Sequence, residues 1–173
     1  MYRFIYSLPL WLIIALMLIA VPLWALGQRR EGQSLSSWRA LNGALCILSL
    51  LVVVSVTVFR RSPRAGQVNL IPFSTFAMAR AVPELYREML MNVLLFFPFG
   101  LTFSSLLPPR RGVGRRFGLT VLSALALSLS VELIQLIFRL GLAEVDDLFT
   151  NTAGAALGAS QLFPGPLLRR LKR

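Results

Sequence analysis

The chain has 173 residues, 56% of them hydrophobic and only 14% charged, with a mean hydropathy of +0.71, a balance that excludes an ordinary soluble domain. Its net charge is +11, but the 18 Arg and Lys residues sit in short loops and at the tail, a pattern that orients membrane spans and meets anionic lipid and excludes nucleic acid as the expected partner. There is no histidine and one cysteine, Cys46, which excludes Ser-His-Asp and Cys-His catalysis and an intrachain disulfide and leaves no convincing metal set; no cofactor is implied.

The apolar runs approach the roughly 20 residues that a helix needs to cross a bilayer, whereas a membrane β-barrel would alternate polar and apolar residues in strands of about 10. The expectation is an all-α, polytopic membrane bundle of about five transmembrane helices in a single membrane domain, 1–173. The first run, "FIYSLPLWLIIALMLIAVPLWAL" over 4–26, exceeds a signal-peptide core and is read as a retained span, with Trp11 and Trp24 suited to the interfacial belts. A second span covers "LNGALCILSLLVVVSVTVF", 41–59, and ends at Arg60, Arg61 and Arg64.

Residues 65–88 are the least helical part. The piece around 68–80, with Pro72 between apolar residues, reads as a re-entrant or interfacial segment, and Glu84, Arg87 and Glu88 as a surface turn or short helix. A third span starts near Met89 and stops at Pro108 and Pro109, with a kink or break expected at Pro98 and Gly100. After the basic loop "PPRRGVGRR", a fourth span runs from Phe117 to about Phe138. A fifth, less hydrophobic one runs from about Leu148 to Leu168, ahead of the basic tail 169–173.

Counting Lys and Arg on alternate sides gives eleven against seven, and the richer side belongs in the cytoplasm. The chain is therefore expected in the cell membrane as a multi-pass protein, N-terminus outside and C-terminus inside. That orientation brings the Pro72 segment, Asn92, the end of the fourth span and the acidic loop to one outer face.

On the fourth helix Glu132, Gln135 and Arg139 recur at i, i+3, i+7; on the fifth, Asp147, Asn151, Gly154 and Gly158 recur at i, i+4, i+7, i+11. Each spacing makes one stripe. Two antiparallel helices could thus face Asp147 and Asn151 toward Glu132 and Gln135, with small residues deeper. Bland readings stand beside this one. Gly154-x-x-x-Gly158 suits close helix packing, and Asp146 with Asp147 suits the first turn of a helix, Glu144 and Asp146 lying in a wet outer loop and helix start. Glu132 either pairs with Arg139 or serves a site, because an ionisable group inside a span costs several kcal/mol unless paired or hydrated. Asn92 offers an interhelical hydrogen bond or a ligand contact.

"NVLLFFPFG" from Asn92 to Gly100, "ELIQ" from Glu132 to Gln135 and "EVDDLFTNTAGAALG" from Glu144 to Gly158, with "NLIPF" from Asn69 to Phe73 upstream, resemble the VanZ-like family of membrane proteins over roughly 65–160. The family takes its name from a protein associated with resistance to the glycopeptide teicoplanin, and no biochemical activity is established for it. The resemblance marks Asn92, Pro98, Gly100, Glu132, Gln135, Asp147, Asn151, Thr152 and Gly154. Two departures are visible: members often carry arginine at about Gly141, where Arg139 is the nearest substitute here, and aspartate at Glu144.

Two functions are compatible with these residues. In the first, a non-enzymatic protein binds a cell-envelope ligand (a cell-wall precursor, a lipid or a glycopeptide) in an outer polar pocket and alters antibiotic susceptibility. Asn92, Glu132, Gln135, Arg139, Asp146, Asp147, Asn151 and Thr152 are the candidate contacts. In the second, an intramembrane enzyme acts on lipid-linked or phospholipid substrates with Glu132 and Asp147 as an acid/base pair. The residues favour binding, since nothing among them demands catalysis. A proton or solute path is a third reading, but no internal repeat supports it.

Overall fold

The computed structural model describes residues 35–57 and 67–163. The expected first span, 4–26, and the basic tail lie outside the described residues. Five α-helices and two short strands follow in order: α1 Leu35–Thr57, β1 Gln67–Asn69, α2 Ser74–Met78, α3 Glu84–Leu106, α4 Val113–Ile137, β2 Leu142–Glu144 and α5 Val145–Ala159. Single 3₁₀ turns, Pro109–Arg111 and Ser160–Leu162, precede α4 and follow α5. Three helices, Trp38–Thr57, Glu84–Leu106 and Val113–Ile137, are long and apolar enough to cross a membrane.

The boundaries differ from the hydropathy reading in instructive ways. α3 begins at Glu84, so the charged stretch read as a separate turn is the first turn of the span, started by Pro83, whose ring already holds helical φ. The helix continues through Pro98 without a break. α5 starts at Val145 and has 15 residues, about 22 Å of helix, which is short of a bilayer's hydrocarbon thickness of about 30 Å. Its end is set locally: Phe163 is extended, at φ −97° and ψ 99°, as suits a residue ahead of Pro164.

The packing follows from small residues. α3 and α5 lie side by side and run the same way, Gly154 of α5 against the Val93 carbonyl, Gly158 against Phe97, and Gly100 of α3 against the Ala155 backbone. A Cβ at any of the three glycines would overlap the facing main chain. Without a hydrophobic drive between helices in lipid, such backbone proximity is what gives dispersion its leverage. α4 runs antiparallel to both, and α1 packs on α3 in the same sense as α4, through a core that includes Cys46, Val53, Leu95, Phe96, Phe99 and Ala124.

Helix ends are tied by side chains from neighbours. The last carbonyl of α1, on Thr57, accepts from Gln135 Nε2 at 3.0 Å. Near the end of α3 the Ser104 carbonyl accepts from Arg116 Nε and Nη2 at 3.2 and 2.8 Å, and the Leu101 carbonyl from Gln161 Nε2 at 3.1 Å. The Thr57 and Ser104 carbonyls are among the last four of their helices, which a helix terminus leaves without internal donors. α4 ends in a Schellman arrangement, Leu140 N–H to the Gln135 carbonyl at 2.8 Å and Arg139 N–H to that of Leu136 at 3.3 Å, with Arg139 at φ 53° where glycine is usual.

The close approach predicts a sharp contrast among glycines. Gly154→Ala and Gly100→Ala each lower the stability of the solubilised protein by about 1–3 kcal/mol, whereas Gly43→Ala, with no atom within 4 Å of the added Cβ, leaves the thermal midpoint at or slightly above wild type. Equal midpoints for all three variants would rule out the backbone contact.

Candidate functional site

The end of the bundle that carries the starts of α3 and α5 and the finish of α4 is where the polar side chains collect. Glu132, Asp146 and Asp147 are 7%, 2% and 8% exposed. That corrects the placement of Asp146 in a wet loop, and it makes the partner of each carboxylate the deciding question, because an unpaired buried charge costs several kcal/mol.

Asp146 stands in the first turn of α5 but serves another element. Its Oδ1 accepts the Phe73 N–H at 2.6 Å and its Oδ2 the Thr75 N–H at 2.8 Å. These are amides at the start of α2, where a capping side chain normally accepts; α2 has no such group of its own, since its N-cap is Phe73. Phe73 is left-handed, at φ 63°, a conformation that costs a non-glycine residue about 1–2 kcal/mol. Two charge-assisted hydrogen bonds, at about 1.5–3 kcal/mol each, outweigh that strain. Phe149, one turn beyond Asp146, stacks on Phe73 with centroids 5.4 Å apart and planes 5° from parallel, which adds to the hold.

Glu144 reinforces the same junction. Its Oε1 accepts from Asn69 Nδ2 and from Thr75 Oγ1, both at 3.3 Å, and β1 pairs in parallel with β2 in the register Asn69 to Glu144. Asn69 also donates to Ser74 Oγ at 2.8 Å and accepts the Ile71 N–H at 3.3 Å, an Asx turn that starts the loop. The segment expected as re-entrant or interfacial is thus a three-residue strand, a turn and the five-residue α2, pinned to the start of α5.

Glu132 crosses from α4 to α5: its Oε2 accepts the Glu144 N–H at 3.1 Å, at the N-cap of α5. The bond resembles the reach-back half of a capping box, supplied from another helix. Asp147 Oδ1 accepts from Asn92 Nδ2 of α3 at 2.7 Å. Asn151 Nδ2 donates to Ser128 Oγ of α4 at 2.8 Å, and Gln135 Nε2 to the Thr57 carbonyl. Glu132, Gln135, Asp147 and Asn151, expected to face one another, are each held by a residue outside that quartet.

Two buried oxygens stand out from this network. Gln135 Oε1 and Asn151 Oδ1 have no hydrogen-bond partner, on side chains that are 0% and 3% exposed, and the Thr152 hydroxyl is buried in the same condition. A carbonyl oxygen left so costs about 1–3 kcal/mol. Arg139 lies apart from the interior group, exposed at the left-handed end of α4. Gly154 and Gly158 line the α3 contact.

Sequence reasoning missed Asn69, Thr75 and Ser128 as partners of the acidic stretch, and Ser74 as a partner of Asn69. A local signal existed for three of them, since Asn-x-x-Pro-x-Ser-Thr combines an Asx turn with hydroxyls at a helix start. Ser128 had one too, four residues before Glu132 on the same helical stripe. In the cluster as built, every carboxylate accepts from a main-chain or amide donor, so the arrangement can hold fixed negative charge in a buried place and offer further acceptors to a donor-bearing molecule. Asp146→Ala removes both acceptors from the start of α2; amide exchange at Phe73 and Thr75 is then expected to accelerate at least tenfold, with Asp146→Asn intermediate. Unchanged exchange in Asp146→Ala would show that the carboxylate does not hold the segment.

Comparison with known proteins agrees with the motifs. Residues 44–164 match the VanZ/LLP1 family. Protein VanZ of Enterococcus faecium is 35% identical over 103 residues, which cover 60% of this chain and 55% of that protein, so the aligned part spans little more than half of the relative's length. No solved structure matches the chain. With three span-length apolar helices among the described residues and a family match over most of its length, the chain belongs to the VanZ-like family of membrane proteins.

Proposed function

We infer that this protein binds a donor-bearing molecule of the cell envelope in the polar end of its bundle and thereby influences susceptibility to glycopeptides such as teicoplanin. The observation that carries the reading is the pair of buried acceptors, Gln135 Oε1 and Asn151 Oδ1, that lack partners on the stripes that also bear Glu132 and Asp147. A buried network retains such atoms at a cost of about 1–3 kcal/mol each, and hydroxyl, amide or ammonium donors on a ligand would recover it. Cell-wall precursors and glycopeptides both carry such donors. The family resemblance supplies the link to teicoplanin.

The geometry favours a binder over a catalyst. Asp147 and Glu132 each accept a hydrogen bond from the protein itself, from Asn92 and from the Glu144 amide, and nothing among the residues of the cluster demands a reaction. In this reading the polar end faces outward and the loop with Arg110, Arg111, Arg115 and Arg116 lies in the cytoplasm, as the distribution of positive charge favours.

Glu132→Gln and Asp147→Asn test the proposal when each is expressed, beside wild type, in a glycopeptide-susceptible Gram-positive host. Both variants are expected to accumulate in the membrane and to lose most of the change in teicoplanin inhibitory concentration that wild type confers. If both disappear from the membrane, the cluster is a folding element and the binding reading fails; if both act like wild type, it fails as well.

A further inference from the structure

Beside the polar cluster, a groove of about 350 Å³ runs between α3 and α5. Tyr86, Met89, Leu90 and Val93 form one wall and recur at i, i+3, i+4, i+7, so the groove follows the axis of a span-length helix. Phe149 and Ala153 of α5 form the other wall, and Phe76 of α2 closes the rim. Thr150 lies at the floor, but its hydroxyl donates back to the carbonyls of Asp146 and Asp147, at 3.1 and 3.2 Å, and leaves its methyl to the groove.

Three features say what fills it. From Tyr86 to Val93 the stripe is about 10 Å long, a large part of one leaflet's hydrocarbon depth of about 15 Å, and it is oriented as lipid chains are. The groove opens sideways onto the apolar exterior of the bundle, where Leu90 and Phe149 are 56% and 45% exposed. At the end where α3 begins, Phe73 adjoins the groove by its ring contacts with Phe76 and Phe149, on the segment that Asp146 pins, which also exposes Leu70, Ile71, Met78 and Val82. The charges at that end, Arg80, Glu84, Arg87 and Glu88, balance one another, so no charged ligand is selected there.

We propose that the groove holds one acyl chain of a bilayer lipid, upright between α3 and α5 and capped by Phe76. Asn92 lies between Met89 and Val93 on α3, and Asp147 one turn before Thr150 on α5, so the chain's site borders the Asn92 to Asp147 hydrogen bond. The inference stands without the glycopeptide reading, because it rests on the apolar walls alone and its test needs no antibiotic.

The test uses the full chain in nanodiscs that contain a phospholipid with a mid-chain diazirine, followed by photolysis and peptide mapping. Labelling at Leu90, Val93 and Ala153 is expected to exceed by at least threefold that at Leu122, Leu125 and Leu129, which are exposed on α4. Ala153→Phe fills the groove and is expected to cut the groove labels at least threefold with the α4 labels unchanged; Ala153→Leu serves where the larger side chain prevents accumulation. Equal labelling on groove and α4, or groove labels insensitive to the filling substitution, would overturn the proposal. So would groove labelling by a diazirine fatty acid and not by the phospholipid, or photo-crosslinks that join the groove to residues 4–26 of the same chain.

Discussion

The main chains of α3 and α5 touch at three glycines, and the rest of the polar end depends on that contact. In lipid the hydrocarbon around a helix is as apolar as its side chains, so association needs either very close packing or hydrogen bonds. Gly100, Gly154 and Gly158 supply the first, and the approach brings Asn92 within 2.7 Å of Asp147, which supplies the second. The same approach fixes the spacing of the walls that carry Met89, Val93, Phe149 and Ala153, and so the width of the apolar groove. One steric condition, a lack of Cβ atoms at three positions, therefore shapes a polar contact and an apolar one side by side.

Around that contact the carboxylates act largely as caps for elements other than their own. Glu132 of α4 holds the amide that opens α5, and Asp146 of α5 holds two amides that open α2. A helix start in a medium without water must find an acceptor within the protein, and a charged acceptor is also favoured by the helix dipole. The exchange of caps ties three sequence-distant segments into one unit and makes burial of the acids tolerable. It also explains how Phe73 is kept in a left-handed conformation that would otherwise relax.

Much of the fold was legible in the chain because its signals are local. Hydropathy located three spans near their observed positions, and the i, i+4 spacing of Gly154 and Gly158 put both on the face that meets α3. What escaped were relations set by distant partners. Asp146 reads as a solvated acid at a helix start because nothing in its neighbourhood reveals that residues 73 and 75 will bring their amides to it. The two strands have three residues each, too few for periodicity to announce, and their parallel pairing joins positions 75 residues apart, as Asn69 and Glu144 show. The stripe of Asp147 and Asn151 was visible, but a stripe gives a direction and no partner. Asp147 meets Asn92 of α3 and Asn151 meets Ser128 of α4, since α5 sits in the angle between those two helices.

We propose that the polar groups between α3 and α5, beyond their part in helix association, are kept for a ligand. Replacing both members of a buried hydrogen-bonded pair by apolar groups of similar shape costs far less than removing one. The most direct measurement is therefore the double variant Asn92→Leu with Asp147→Leu, assayed for glycopeptide inhibitory concentration per unit of protein in the membrane. The account predicts a protein that accumulates in the membrane but has lost its effect on susceptibility; a double variant with the full effect of wild type would contradict it.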